Sequence, residues 1–147
     1  MKVISHRGNL NGPNKQAENT IESIKSAINL GFDVEIDVWY IDNILYLGHD
    51  SDSLITDHNL KNFLLENSSK LWIHCKNIEA VEWFNMLNSY HYFWHEGDTL
   101  TLTSMNVVWA YPGKQPIKGS IAVMPEINND NLDDCIGICS DYINDYK

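Results

Sequence analysis

Arginine is nearly missing. The 147-residue chain has nine lysines and one arginine, Arg7, against 20 acidic residues, for a net charge of -10. Phosphate backbones and anionic membranes are bound by basic faces, so nucleic acid and membrane surfaces are excluded as general partners. Cysteine is scarce too: Cys75, Cys135 and Cys139 make three. That odd count builds no disulfide framework and fits a reducing compartment. Cys135 and Cys139 lack the C-x-x-C spacing of metal and redox pairs, and read as small buried apolar residues. Long apolar runs are absent. The longest, Val107–Tyr111, is far short of the ~20 residues that cross a bilayer, so no integral membrane contact is expected. The opening MKVISHRG reaches His6 and Arg7 before any apolar stretch, which predicts no signal peptide and a cytoplasmic location. No repeat, linker or low-complexity tract divides the chain, and its length predicts a single domain over residues 1–147.

What is present is alternation of strand and helix. Lys2–Ser5 reads as a short strand, and Asn9–Gln16 as a loop by its Gly, Pro and Asn content. Asn19 with Glu22 three residues on reads as a capping box. Ile21, Ile24, Ala27 and Ile28 follow at helical spacing, and Gly31 ends the helix. Asp33–Trp39 alternates polar and apolar like a strand. Ile44–Leu47 follows an Asp42-Asn43 turn as a second, shorter one. Thr56 can cap a helix carrying Leu60, Phe63 and Leu64. Leu71–Lys76 is a strand, Asn77 caps a helix through Leu87, and His91–His95 is a strand again. This order predicts a parallel sheet with helices outside it. In the last third, Thr99–Ser104, Val107–Tyr111, Ser120–Met124 and Gly137–Asp141 read as strands. The gap between the first two is too short for a parallel crossover, so they form a hairpin or one extended approach. The architecture expected is α/β, a reduced TIM-type β/α barrel with its outer helices trimmed in the C-terminal half.

Candidate chemistry gathers on two strands. Side chains alternate faces along a strand. Val34, Ile36 and Val38 therefore share one face, which helices can cover, and Asp33, Glu35 and Asp37 share the other. In a closed barrel that second face is the interior. Two carboxylates confined together there need a cation or a shared proton. Leu71–Lys76 repeats the design: Leu71, Ile73 and Cys75 on one face, Trp72, His74 and Lys76 on the other. His6-Arg7-Gly8 ends the first strand, and β/α barrels gather functional residues at strand C-termini. A guanidinium binds phosphate oxygens through paired donors. His49-Asp50 follows the short strand, and two histidines can serve as base and acid in one displacement.

With these residues in view, the sequence resembles the glycerophosphodiester phosphodiesterases, in the PLC-like phosphodiesterase superfamily, as a short member. The matching text is His6-Arg7-Gly8, Glu18-Asn19-Thr20, Gly31-Phe32-Asp33 leading into Glu35-Ile36-Asp37, then Gly48-His49-Asp50 and, more loosely, Gly137–Tyr142. The resemblance implies a TIM-type barrel acting on a small-molecule phosphodiester. It implies His6 and His49 as the acid/base pair, Arg7 and Lys76 at the phosphate, and Glu35 and Asp37 as ligands of one divalent cation, Mg or Ca. Glu18 matches a glutamate close to the site, or serves the helix start. The family's third strand carries a Glu where this chain has His74. Either His74 is the third ligand, which opens the site to Mn or Zn, or Glu126 or Glu96 completes it.

His95 and Glu96 end a strand within reach of the site. Trp109 forms part of the pocket wall or fills the core. The alternatives to hydrolysis are a non-catalytic barrel that binds a phosphorylated ligand and a lyase-type relative that forms a cyclic phosphate. The trimmed helices make a homo-oligomer a further expectation.

Overall fold

The computed structural model describes residues 1–147. The strands are β1 (Lys2–His6), β2 (Asp33–Ile41), β3 (Ile44–Leu47), β4 (Leu71–Cys75), β5 (His91–Trp94), β6 (Leu100–Leu102), β7 (Val108–Ala110), β8 (Ser120–Val123) and β9 (Gly137–Ser140). The helices are α1 (Ile21–Asn29), α2 (Leu60–Glu66) and α3 (Ile78–Leu87). The sheet runs β5-β4-β2-β1-β9-β8-β7-β6, with β3 paired to β2 alone. Apart from β3, the strands therefore follow chain order around a curl. Neighbours are parallel except in the β6–β7 and β2–β3 pairs, which are antiparallel. The two ends of the sheet nearly close: the Ser104 N–H just after β6 donates to the Tyr92 carbonyl of β5 at 2.8 Å. The protein is a reduced TIM-type barrel. All three helices lie in the first 87 residues, and the β7–β8 and β8–β9 crossovers carry none. No helix is long and apolar enough to cross a membrane.

The period-2 pattern places the layers. Val34, Ile36 and Val38 point outward and are fully buried with Ile24 and Ala27 of α1 and Phe84 of α3. Inside the barrel, Ile4, Trp72, Phe93, Trp109, Ile121, Val123 and Cys139 form a second, smaller apolar cluster. This plug fills the interior, and polar side chains occupy the C-terminal ends of the strands above it. Register decides which of them meet. In β1–β2, His6 stands opposite Glu35, and in β2–β4, Asp37 stands opposite His74.

The helix starts differ from the sequence expectation in two places. α1 is capped by Thr20, whose hydroxyl accepts from Ser23 N–H at 3.2 Å. Asn19 stands before the cap with φ of 57°, its side chain committed to β2. Thr56 caps nothing: its hydroxyl donates to the Leu45 carbonyl at 2.6 Å, and α2 begins at Leu60 after Asn59. Asn77 caps α3 as expected, accepting from Ala80 N–H at 3.2 Å. Thr99–Tyr111 is a hairpin, with Leu100–Leu102 against Val108–Ala110.

Candidate active site

The His6-Arg7-Gly8 turn is built from two successive left-handed residues, Arg7 (φ 55°) and Gly8 (φ 85°). Gly8 is required there. A Cβ on it would lie 2.5 Å from Ser23 Oγ and 2.9 Å from the Ser23 carbonyl carbon, so α1 approaches too closely for any side chain. The turn is anchored by Arg7 N–H to the Glu35 carbonyl (2.8 Å) and Asn19 N–H to the Arg7 carbonyl (2.9 Å). It aims His6 into the barrel and Arg7 across its mouth.

Asp37 is the most heavily contacted group of the site. It is fully buried. Asn19 grips it twice, donating from Nδ2 to Oδ2 at 2.9 Å and accepting the Asp37 N–H on Oδ1 at 3.0 Å. Arg7 Nε lies 3.0 Å from Oδ2 as an ion pair, His74 Nδ1 3.1 Å from Oδ1, and Lys76 Nζ 3.8 Å from Oδ1. Burial alone would raise its pKa. The close approach of His74 Nδ1 and the charges of Arg7 and Lys76 outweigh it and hold Asp37 far below the usual carboxylate range. Glu35 is equally buried but less well compensated. Burial and the charge of Asp37 push it up, against the opposing pull of His6 and His74. The two carboxylates of one strand are thus driven apart, as neighbouring like charges in a low-dielectric pocket must be.

Glu35, Asp37 and His74 offer three ligand atoms within 4.8 Å of one another. Glu35 Oε2 and Asp37 Oδ1 are buried without a hydrogen-bond partner. Orphaned carboxylate oxygens of this kind suit a cation, since each otherwise bears its full desolvation cost. His74 Nε2 lies 2.8 Å from the His95 carbonyl. A carbonyl only accepts, so Nε2 carries the proton and Nδ1 is the atom turned toward both carboxylates. Metal-binding histidines are oriented this way, by a backbone carbonyl on the far nitrogen. Glu96 is exposed and Glu126 is engaged with Ser140 and Tyr146. Neither belongs to the cluster, contrary to the alternative raised for the third ligand.

His6 is held by Asp141, just past β9, which accepts its Nδ1–H at 2.7 Å. Its Nε2 faces Glu35 Oε2 at 3.8 Å. Burial disfavours the imidazolium, but the Asp141 hydrogen bond and the Glu35 charge prevail and raise the pKa of His6 above its ordinary value. Burial likewise opposes ionisation of Asp141, yet the bond from His6 leaves its pKa lowered. Glu18 closes the network, 3.4 Å from Arg7 Nη1 and accepting from Asn9 Nδ2 at 3.2 Å. Asn9 donates also to Asp141 Oδ1 at 2.8 Å.

The three residues of Glu18-Asn19-Thr20 therefore have three separate tasks: Glu18 positions Arg7, Asn19 positions Asp37, and Thr20 caps α1. Sequence reasoning assigned no role to Asp141, Asn9 or Asn19 in the site. Asp141 lies in the Gly137–Tyr142 segment just past a strand end, which is the signal available.

His49 stands apart from this buried network, on the rim. Its side chain is 44% exposed, and its Nδ1–H is accepted by Asp50 Oδ1 at 2.8 Å. It borders two clefts. One, of about 500 Å³, includes Arg7, Glu18, Asn19 and Ser53. The other, of about 670 Å³, includes His74, Lys76, Trp39, His95 and Tyr111. His95 is buried against the Tyr111 ring (centroids 3.8 Å), with both ring nitrogens unpartnered. Burial and the neighbouring His74 hold its pKa below the ordinary value. Trp109 sits lower, in the apolar plug against Trp72 and Phe93 (5.7 and 4.8 Å). It fills the core and does not wall the cleft.

No protein-family model matches the chain, and no curated protein matches it either. Among solved structures the chain is similar to a glycerophosphodiester phosphodiesterase from Agrobacterium tumefaciens str. C58, at 21% identity and a TM-score of 0.42. The likeness covers 65% of this chain and 57% of that one.

Proposed function

We propose that the protein is a phosphodiesterase acting on a glycerophosphodiester-like small molecule, releasing glycerol phosphate and an alcohol. The observation that carries this reading is the meeting, at one barrel mouth, of a carboxylate–imidazole cluster, the only arginine and His6, with His49 on the rim of the clefts that Arg7, His74 and Lys76 line; both histidines have Nδ1 fixed by an aspartate. A carboxylate only accepts, so each ring holds its proton on Nδ1 and presents Nε2 for proton transfer.

Glu35, Asp37 and His74 would hold one divalent cation. When bound, such a cation would supply Lewis-acid stabilisation of the negative charge on the phosphate. Mg or Ca follows from the family resemblance, whereas the imidazole of His74 suits Mn or Zn.

The chain's own residues supply the rest. Arg7 is anchored at Nε by Asp37 and at Nη1 by Glu18, which leaves its remaining donors for phosphate. Lys76 adds a second positive charge 3.8 Å from Asp37. As charge accumulates on phosphorus in the transition state, these preorganised cations stabilise it without reorganising. One histidine takes the proton of the attacking oxygen and the other returns one to the departing alcohol. Hydrolysis uses water as that oxygen nucleophile.

The test is a pair of single variants, His6→Ala and His49→Ala, assayed with added divalent cation for release of glycerol phosphate. Each is expected to lose about 10²–10⁴-fold in turnover with circular dichroism little changed. Near-full activity in both variants would refute the two-histidine reading.

A further inference from the structure

Asn9 follows the His-Arg-Gly turn and is buried, with 4% of its surface exposed. Its amide stands between the two halves of the site. One Nδ2 proton points to Asp141 Oδ1 (2.8 Å), the same oxygen that accepts His6 Nδ1–H (2.7 Å). The other points to Glu18 Oε2 (3.2 Å), whose partner oxygen lies 3.4 Å from Arg7 Nη1. Asn9 Oδ1 accepts Asn14 N–H at 3.2 Å, and its carbonyl accepts the Ser5 hydroxyl at 2.7 Å. The side chain is therefore fixed at both ends, and its two donors go to two carboxylates.

We propose that Asn9 is a positioning residue that ties the acid/base half of the site to the phosphate-binding half. An amide suits this task. Asp141 and Glu18 are like charges drawn toward one pocket. A neutral group with two donors satisfies an oxygen of each without adding charge, where a lysine would neutralise them and compete with Arg7. By fixing Asp141, Asn9 fixes the tautomer and plane of His6. By fixing Glu18, it fixes the guanidinium of Arg7. Neither Asp141 nor Glu18 has another side chain holding it in place besides the group it serves. This rests on the reading of His6 and Arg7 as working groups.

The experiment uses the full chain with ¹⁵N-labelled histidine. The His6 Nδ1 proton, bonded to Asp141 inside the barrel, is expected as a low-field resonance protected from solvent exchange. In Asn9→Leu, and in Asn9→Ser should the leucine variant fail to fold, that signal is lost to exchange. kcat on glycerophosphocholine with added divalent cation falls about 10-fold or more, with a smaller change in KM.

Ser5→Ala is the structural control. It removes the hydroxyl that holds the Asn9 backbone but leaves the amide in place, so it lowers stability and keeps the signal. Persistence of the resonance in both Asn9 variants, or its absence from the wild type, overturns the proposal. Loss of the resonance in the variants of a protein that cleaves no phosphodiester upholds the positioning role and overturns the phosphodiesterase reading instead.

Discussion

Asp141→Asn isolates the one interaction that sets the state of His6. The substitution keeps shape and volume, removes the charge, and leaves a carbonyl oxygen that can still accept from Asn9. The bond it weakens is short, 2.7 Å, between side chains only 11% and 12% exposed. A hydrogen bond to a charged partner contributes about 1.5–3 kcal/mol, which corresponds to roughly 10- to 100-fold if it acts fully in the transition state.

Two consequences follow in opposite pH ranges. The pKa of His6 is raised, so its stabilising contribution is complete below the unfolded value of 6.5 and is lost as pH rises through the folded value. The pKa of Asp141 is lowered, so its contribution is complete above 3.8 and is lost as pH falls through the folded value. The pair therefore stabilises most between those two limits. The variant should lose most stability near pH 5 and least at alkaline pH. The limb of the rate profile that reports His6 should move to lower pH, because the raising influence is gone. Thermal melts from pH 4 to 9, with kcat over the same range, measure both. Equal destabilisation at pH 5 and pH 9, together with kcat within twofold of wild type and an unmoved limb, would refute the reasoning.

Two further changes test the geometry. His74→Glu replaces a neutral nitrogen ligand by a carboxylate, so calorimetric titration should show preference moving from Mn or Zn toward Mg or Ca and a weaker loss of affinity on acidification; identical profiles would exclude His74 as a ligand. Gly8→Ala forces a Cβ to within 2.5 Å of Ser23 Oγ at a φ of 85° and should cost about 1–3 kcal/mol, read by chemical denaturation, whereas a neutral result would mean that α1 does not press on the turn.

The alternation of Asp33–Val38 and Leu71–Lys76 made the barrel interior legible, because a strand offers only two faces and one of them was continuously apolar. The meeting of Glu35, Asp37 and His74 followed from that pattern plus parallel register. Asn19 was misread for a physical reason: asparagine is favoured both at helix caps and in the left-handed region, and only the proximity of β2 decides between them. The Asp141–His6 bond joins residues 135 apart in sequence. No local signal reports a partner at that separation. Thr56 was misplaced because its hydroxyl found the Leu45 carbonyl of β3, a tertiary bond that outcompetes a cap. Trp109 carries no local mark of depth, since aromatic residues serve plugs and cleft walls alike. The short strands of the last third fall within a residue or two of their sequence-based bounds, and the short gap between the first two is compatible with the hairpin they form.

Cleavage of a phosphodiester at this barrel mouth is directly measurable. ³¹P NMR of the purified protein with glycerophosphocholine, in the presence of Mg, Ca, Mn or Zn in turn, tests it in one measurement. The diester resonance is expected to be replaced by a phosphate monoester resonance with at least one of these cations, and His6→Ala is expected to abolish the conversion. A cyclic phosphate as final product would replace hydrolysis by transfer to a substrate hydroxyl. An unchanged diester with all four cations would contradict the claim.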